Sequence, residues 1–177
     1  MSGPDPPPRY CPQLPFPPYT YVPGRFPHPI SDPQGHSFGH SPPAARELES
    51  SNWRNNEIYL HALDLFNHGY YWEAHETWES LWHASGRKGP TADFLKGLIK
   101  LAAAGVKACE GRDAGVRLHA RRAAELLRSV SVDEEGLLFG LPVAAFAAHA
   151  ERIAVRGESL DYSSEDAVSP LAFMPVL

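Results

Sequence analysis

From Ser51 onward the apolar positions recur with a helical period, and before Ser51 they do not. Tyr59, Leu60, Leu63 and Phe66 stand three or four apart, which predicts an amphipathic helix over 52–67 with one apolar stripe. Ser51 or Asn52 is placed to cap its start. His68-Gly69 is placed to end it, the glycine taking the left-handed conformation that closes many helices. A second helix is expected from Tyr70 or Tyr71 to about 84, with Ala74, Trp78 and Leu81 on one face and Tyr71 and Trp82 at its flank. So short a connection predicts an antiparallel hairpin.

After the polar break 85–90, a third helix is expected over 91–110, capped by Thr91. Phe94, Leu95, Leu98, Leu101, Ala102, Gly105, Val106 and Cys109 share a broad face, opposite Lys96, Lys100 and Lys107. Gly97 and Gly105 lower helix propensity, so they predict close approach by a neighbour. Gly111 ends this helix, and Asp113 caps a fourth that runs to Ser129 with Val116, Ala120, Ala123 and Leu127 inward. A fifth is expected from Pro142, at the tolerated first helical position, to Arg156. No segment alternates as a strand does. The fold class expected is all-α: a compact bundle of about five helices, built from two antiparallel hairpins, with no sheet.

Proline changes the picture upstream. Fourteen of the 18 prolines lie between Pro4 and Pro43, which excludes regular helix there. Tyr10, Phe16, Tyr19, Tyr21, Phe26 and Phe38 are interleaved with them, more aromatic residues than a solvated linker carries. The expected organisation is a disordered tail over 1–13, an extended arm laid on the domain over 14–50, a helical domain over 51–157 and an irregular tail over 158–177.

Length and charge add limits. A chain of 177 residues has room for one domain with a sizeable core. Its net charge of -5 does not suggest a nucleic-acid-wrapping surface. Lys96, Lys100, Lys107, Arg112, Arg117, Arg121, Arg122 and Arg128 form a basic run, read as a solvated helix face because no stacking aromatic residues interleave it. Cys11 and Cys109 are too few for a disulfide scaffold. No signal peptide or membrane-length apolar run is visible, so the cytoplasm is the expected compartment and no membrane partner is expected.

Candidate chemistry concentrates on the second helix, Tyr70-Tyr71-Trp72-Glu73-Ala74-His75-Glu76-Thr77-Trp78-Glu79-Ser80-Leu81-Trp82-His83. His75 and Glu79 are one turn apart and share a face, with Trp78 and Trp82 beside them. The candidate ligand-binding residues are Tyr71, His75, Glu76, Trp78, Glu79 and Trp82. A zinc-protease helix needs a second histidine where Glu79 stands, so that class is excluded. Three readings stay open for the His-Glu helix: a divalent metal site, an acid–base or ligand-recognition site, and a satisfied structural polar seam. On the arm, His28, Asp32 and His36 lie within nine residues of one another. They are candidate partners for His75 and Glu79, and His28 and His36 are candidate metal ligands with them. Their alternative role is in turns.

The run from Phe66 to Trp82, with Phe94-Leu95-Lys96-Gly97-Leu98-Ile99-Lys100-Leu101-Ala102-Ala103, resembles the signatures of domain of unknown function 309, a family of small helical bacterial proteins. The likeness covers 57–130. The arm, with Tyr21-Val22-Pro23-Gly24, Pro27-His28-Pro29 and Gly35-His36-Ser37, resembles a longer subgroup carrying such an extension. The resemblance implies a helical bundle and no established activity; the family's His-Glu pair falls on His75 and Glu76. The function expected is a binding module for a small molecule or a protein, its site on the His-Glu helix closed by the arm. A metal-dependent hydrolase-like enzyme on the same residues and a protein-interaction scaffold are the alternatives.

Overall fold

The computed structural model describes residues 6–156. Its helices are α1 (Glu57–Asn67), α2 (Tyr71–Ala84), α3 (Pro90–Cys109), α4 (Asp113–Ser129) and α5 (Val143–Arg156). Each packs against the next in the chain, and the two expected hairpins are α1–α2 and α3–α4. The helix termini explain the hairpins. At the end of α1, Tyr70 N–H donates to the carbonyl of Leu65 and Gly69 N–H to that of Phe66, with Gly69 at φ 84°. This pair of bonds closes the helix and reverses the chain. The end of α3 repeats it with Arg112 onto Lys107 and Gly111 onto Ala108.

Four helix starts and one connection depart from expectation. α3 opens at Pro90 with Gly89 as its cap, so Thr91 lies inside the helix, and α4 opens at Asp113 itself with Arg112 as its cap. The first helix begins five residues late: Trp53–Asn55 is a single 3-10 turn, and Asn56 is the cap, its side chain accepting from Tyr59 N–H at 3.1 Å. Asn52 is unavailable as a cap because its side chain accepts from Glu49 N–H and donates to the Glu47 carbonyl. Pro142 does not open the fifth helix. It lies in a ribbon of two short strands, β1 (Leu137–Leu138) and β2 (Leu141–Pro142), paired antiparallel with Leu138 opposite Leu141. The all-helical reading therefore holds with one small addition. Phe139 (φ 49°) and Gly140 (φ 76°) form the two-residue turn, the positive pair that a tight hairpin requires. Two residues a side are too few to produce a period of two in the sequence.

The core runs through the bundle: Tyr59, Leu63, Phe66, Trp78, Leu81, Phe94, Leu98 and Leu127 are buried together. Tyr59 keeps its hydroxyl satisfied on the Phe139 carbonyl at 3.0 Å, so the ribbon is tied to α1. Both helix-interior glycines of α3 mark close approaches. A side chain at Gly105 would overlap the ring of Tyr71, and one at Gly97 would meet Leu127 Cδ2 at 2.8 Å. The arm begins its contact earlier than residue 14, since Tyr10 and Cys11 are already bonded to α1. The expected tail over 158–177 lies outside the described residues, as do residues 1–5 of the expected N-terminal tail.

Gly105→Ala should therefore destabilise the domain by about 1–3 kcal/mol, because the rigid Tyr71 ring has to move. Gly97→Ala should cost less, since the end of a flexible leucine opposes it. Urea unfolding of the two variants checks the order; equal midpoints would contradict it.

Candidate functional site

The helical period divides α2 into faces. Ala74, Trp78 and Leu81 point into the core, and Trp78 is only 1 % exposed, its ring 5.4 Å from that of Phe66. Tyr71 is also buried, lying on Gly105 of α3. Two of the six candidate residues on α2 are thus packing residues. Trp82 is half-buried seven residues beyond His75, roughly 10 Å along the axis. Its ring lies 5.5 Å from the ammonium of Lys96 and 6.0 Å from the guanidinium of Arg87, a cation–π setting of its own.

His75, Glu76 and Glu79 do come together. Each offers one nitrogen or oxygen, and these atoms lie within 4.8 Å of one another. His75 Nδ1 is 3.3 Å from Glu76 Oε1, with the two side chains 27 % and 38 % exposed. His75 Nδ1 is shielded from solvent and makes no hydrogen bond. The spacing explains the convergence: Glu79 follows His75 by one turn, and Glu76 is the next residue round the same outer face.

The arm does not deliver its side chains to this trio. His36 Nε2 pairs with Glu73 Oε1 at 3.2 Å, and its Nδ1 meets Ser37 Oγ at 2.9 Å. His28 packs against Tyr21 and edge-on to Trp72, at 5.0 and 5.5 Å between ring centres. Its Nδ1 accepts from the amides of Ile30 and Ser31. Asp32 closes a local turn by accepting from Gln34 N–H at 2.9 Å. The expectation that His28 or His36 meets His75 and Glu79 is corrected: His36 pairs with Glu73, and His28 packs on Tyr21 and Trp72. Two residues before His75, Glu73 lies about 200° round the helix and so faces a different neighbour.

Glu73 is a residue that sequence reasoning passed over. It is 6 % exposed and accepts from Thr20 Oγ1 and from Tyr21 N–H, both at 2.9 Å, besides His36. Asp64 of α1 is its counterpart. It is fully buried and accepts from the amides of Tyr10 and Cys11 at 2.7 and 2.8 Å, with Arg9 Nε at 3.6 Å. Between these two anchors Phe16 stacks on Tyr70 at 4.8 Å and tilts on His68 at 4.9 Å, under the Arg9 guanidinium. The arm thus crosses the first turn of α2, with Tyr21 and His28 against Trp72, and its far end buries Leu48 in the core.

Two further histidines stand in shifted environments. Burial lowers the pKa of His61, Arg9 lowers it too, and Asp64 opposes both. His119 of α4 is also lowered, by burial first and then by Lys100, Lys107 and His75. Thiol chemistry is disfavoured: burial, Asp64 and Glu57 push Cys11 up to about 11, and burial raises Cys109. The basic run pairs locally, Lys107 and Arg112 with Glu110, Arg122 with Glu125 and Arg128 with Glu151. A surface hollow of about 620 Å³ lies at the root of the arm, between Tyr10, Arg46, Arg54 and Glu57, and none of the trio lines it. Among the described residues no helix is long and apolar enough to cross a membrane.

Glu73→Gln should cost about 1–3 kcal/mol, the loss of charge-assisted bonds to a buried acceptor. It should also speed proteolysis within residues 14–38. A cleavage pattern identical to that of the parent chain would show that Glu73 does not hold the arm. His61 sets a pH trend. Its folded pKa is below the ordinary 6.5, so the unfolded chain binds the proton more readily. The contribution of His61 to stability is complete above that value and is lost as pH falls below it. A His61→Gln variant should show a shallower stability loss between pH 6.5 and lower pH in denaturation series; an unchanged slope would assign the trend elsewhere.

Residues 59–118 match the family described as a domain of unknown function (DUF309). The matched segment runs from α1 into α4 and includes Asp64, Glu73, His75, Glu76 and Glu79, whereas the arm lies outside it. No curated protein matches the chain.

Proposed function

We propose that the chain, whose residues 59–118 match the DUF309 family, is a helical binding module that holds a divalent cation at His75, Glu76 and Glu79. The observation that carries this reading is the convergence of one imidazole and two carboxylates within 4.8 Å on one turn of α2. Two carboxylates so close repel each other, and a cation between them removes that cost. A mixed nitrogen and oxygen set suits manganese, iron or zinc better than calcium. Three ligands leave coordination positions free for water or a ligand, which is what distinguishes a working site from a closed structural one. The hydrolase-like alternative would use the same ligands with an activated water in a free position.

The arm supports the site without lining it. By fixing Glu73 and Trp72 it holds the first turn of α2, and His75 stands at the start of the next turn. Mn2+ is the test ion, followed by calorimetry and by its electron paramagnetic resonance signal. The intact chain should take up one Mn2+, and His75→Ala or Glu79→Gln should each weaken it at least about tenfold. His28→Ala should leave the affinity unchanged. No Mn2+ uptake, or uptake indifferent to His75 and Glu79, overturns the reading.

A further inference from the structure

The contacts of α3 with its two neighbours fix a register across three helices. Tyr71 of α2 lies on Gly105, Leu127 of α4 lies on Gly97, and Lys107 lies on Gly115 of α4. One turn on from Tyr71 stands His75, and one turn on from Gly115 stands His119. In antiparallel helices these two come level with Lys100–Ala103 of α3, from opposite sides. Ala103 contributes only a methyl group there, which leaves a low point in the surface of α3 between the two histidine positions. The electrostatics agree, because His119 senses both Lys100 and His75.

The two sides of this low point differ in character. On the α2 side are the carboxylates of Glu76 and Glu79, suited to a cation. On the α3 and α4 side are Lys100 and His119, both half-buried. Among the described residues neither makes a hydrogen bond or ion pair. Other members of the basic run are occupied, Lys107 by Glu110 and Lys96 by the ring of Trp82. Lys100 has three N–H donors and a neutral His119 has one, and no acceptor is bonded to them. A group that satisfied both sides would coordinate a cation through one oxygen and accept hydrogen bonds through another.

We propose that the cation centre recruits a small oxyanion, a carboxylate or a phosphate, whose oxygens bridge the ion to Lys100 and His119. This rests on the reading that His75, Glu76 and Glu79 hold a divalent cation. It names the ligand class of that site and enlarges it from one helix to three. His119 becomes a binding residue although it lies one position beyond the matched family segment.

The test uses the intact chain loaded with Mn2+, titrated with inorganic phosphate in one arm and acetate in the other. Calorimetry reads affinity, and water proton relaxation reads whether the anion displaces water from the ion. At least one of the two anions should bind with a stoichiometry of one and reduce the relaxation enhancement. Lys100→Gln and His119→Gln should each weaken that anion at least about tenfold while changing Mn2+ affinity by less than about twofold. Lys96→Gln, on the same helix face but under Trp82, should change neither, and thermal melting confirms that the variants fold. Phosphate binding alone assigns a phosphate ligand; acetate alone assigns a carboxylate. If Mn2+ itself does not bind, the cation reading has failed and this inference falls with it. If Mn2+ binds but neither anion does, or both variants bind the anion as the parent does, the bridge alone is wrong.

Discussion

The structure depends on two carboxylates that have almost no access to water. Asp64 near the end of α1 and Glu73 in the first turn of α2 are buried, and a buried carboxylate without partners costs several kcal/mol. Neither is satisfied by the helices. Both are satisfied by backbone amides of the arm, Tyr10 and Cys11 for Asp64 and Tyr21 for Glu73. This explains how a segment so rich in proline attaches at all. Proline has no N–H to give, so the amides that remain are few, and three of them go to charged acceptors, where each hydrogen bond is strongest. Phe16 stacked on Tyr70 then fills the path between the anchors, and Tyr21 meets Trp72 edge-on at the second of them. The arm acquires a fixed course with no secondary structure of its own.

The same constraint organises α2. One face of this helix is taken by the core through Trp78, Ala74 and Leu81, and the first turn is taken by the arm through Glu73 and Trp72. What is left is the strip bearing His75, Glu76 and Glu79. His75, Glu76 and Glu79 stand on one helix, so their backbone spacing is fixed by the helical repeat and the two carboxylates stay neighbours in the folded chain. Proximity of like charges on a rigid element is the physical basis for reading this strip as a place for a cation rather than as an ordinary solvated face, whose charges are free to spread.

Much of the fold was legible because it rests on local rules. The helices follow from apolar spacing, and the hairpins from Gly69 and Gly111, whose positive φ values fit their place just past a helix end. Gly97 and Gly105 announced close approaches that the structure contains. The start of α1 was misplaced because Asn52 and Asn56 are equally good caps in sequence. Only the engagement of Asn52 with Glu47 and Glu49 decides between them. The polar trio was legible for the same local reason, being confined to one turn. Tyr71, Trp78 and Trp82 stood near it in sequence, and only packing assigned the first two to the interior and the third to a separate cation–π contact.

Glu73 and His119 were not legible, and both for a non-local reason. The meaning of Glu73 lies in Thr20, Tyr21 and His36, which are 37 to 53 residues away through a segment without a period to extrapolate. The meaning of His119 lies in the register of α4 on α3, and that register is set by a lysine stem passing over Gly115. A helical wheel assigns a face to each residue but never says which residue of the next helix stands level with it. Burial of His119 and the charge of Lys100 both favour its neutral imidazole, which can donate one hydrogen bond without adding a second positive charge beside the lysine. In the proposed site the carboxylates of α2 and the donors of α3 and α4 stand on different helices, so its polarity arises only when α2, α3 and α4 are packed.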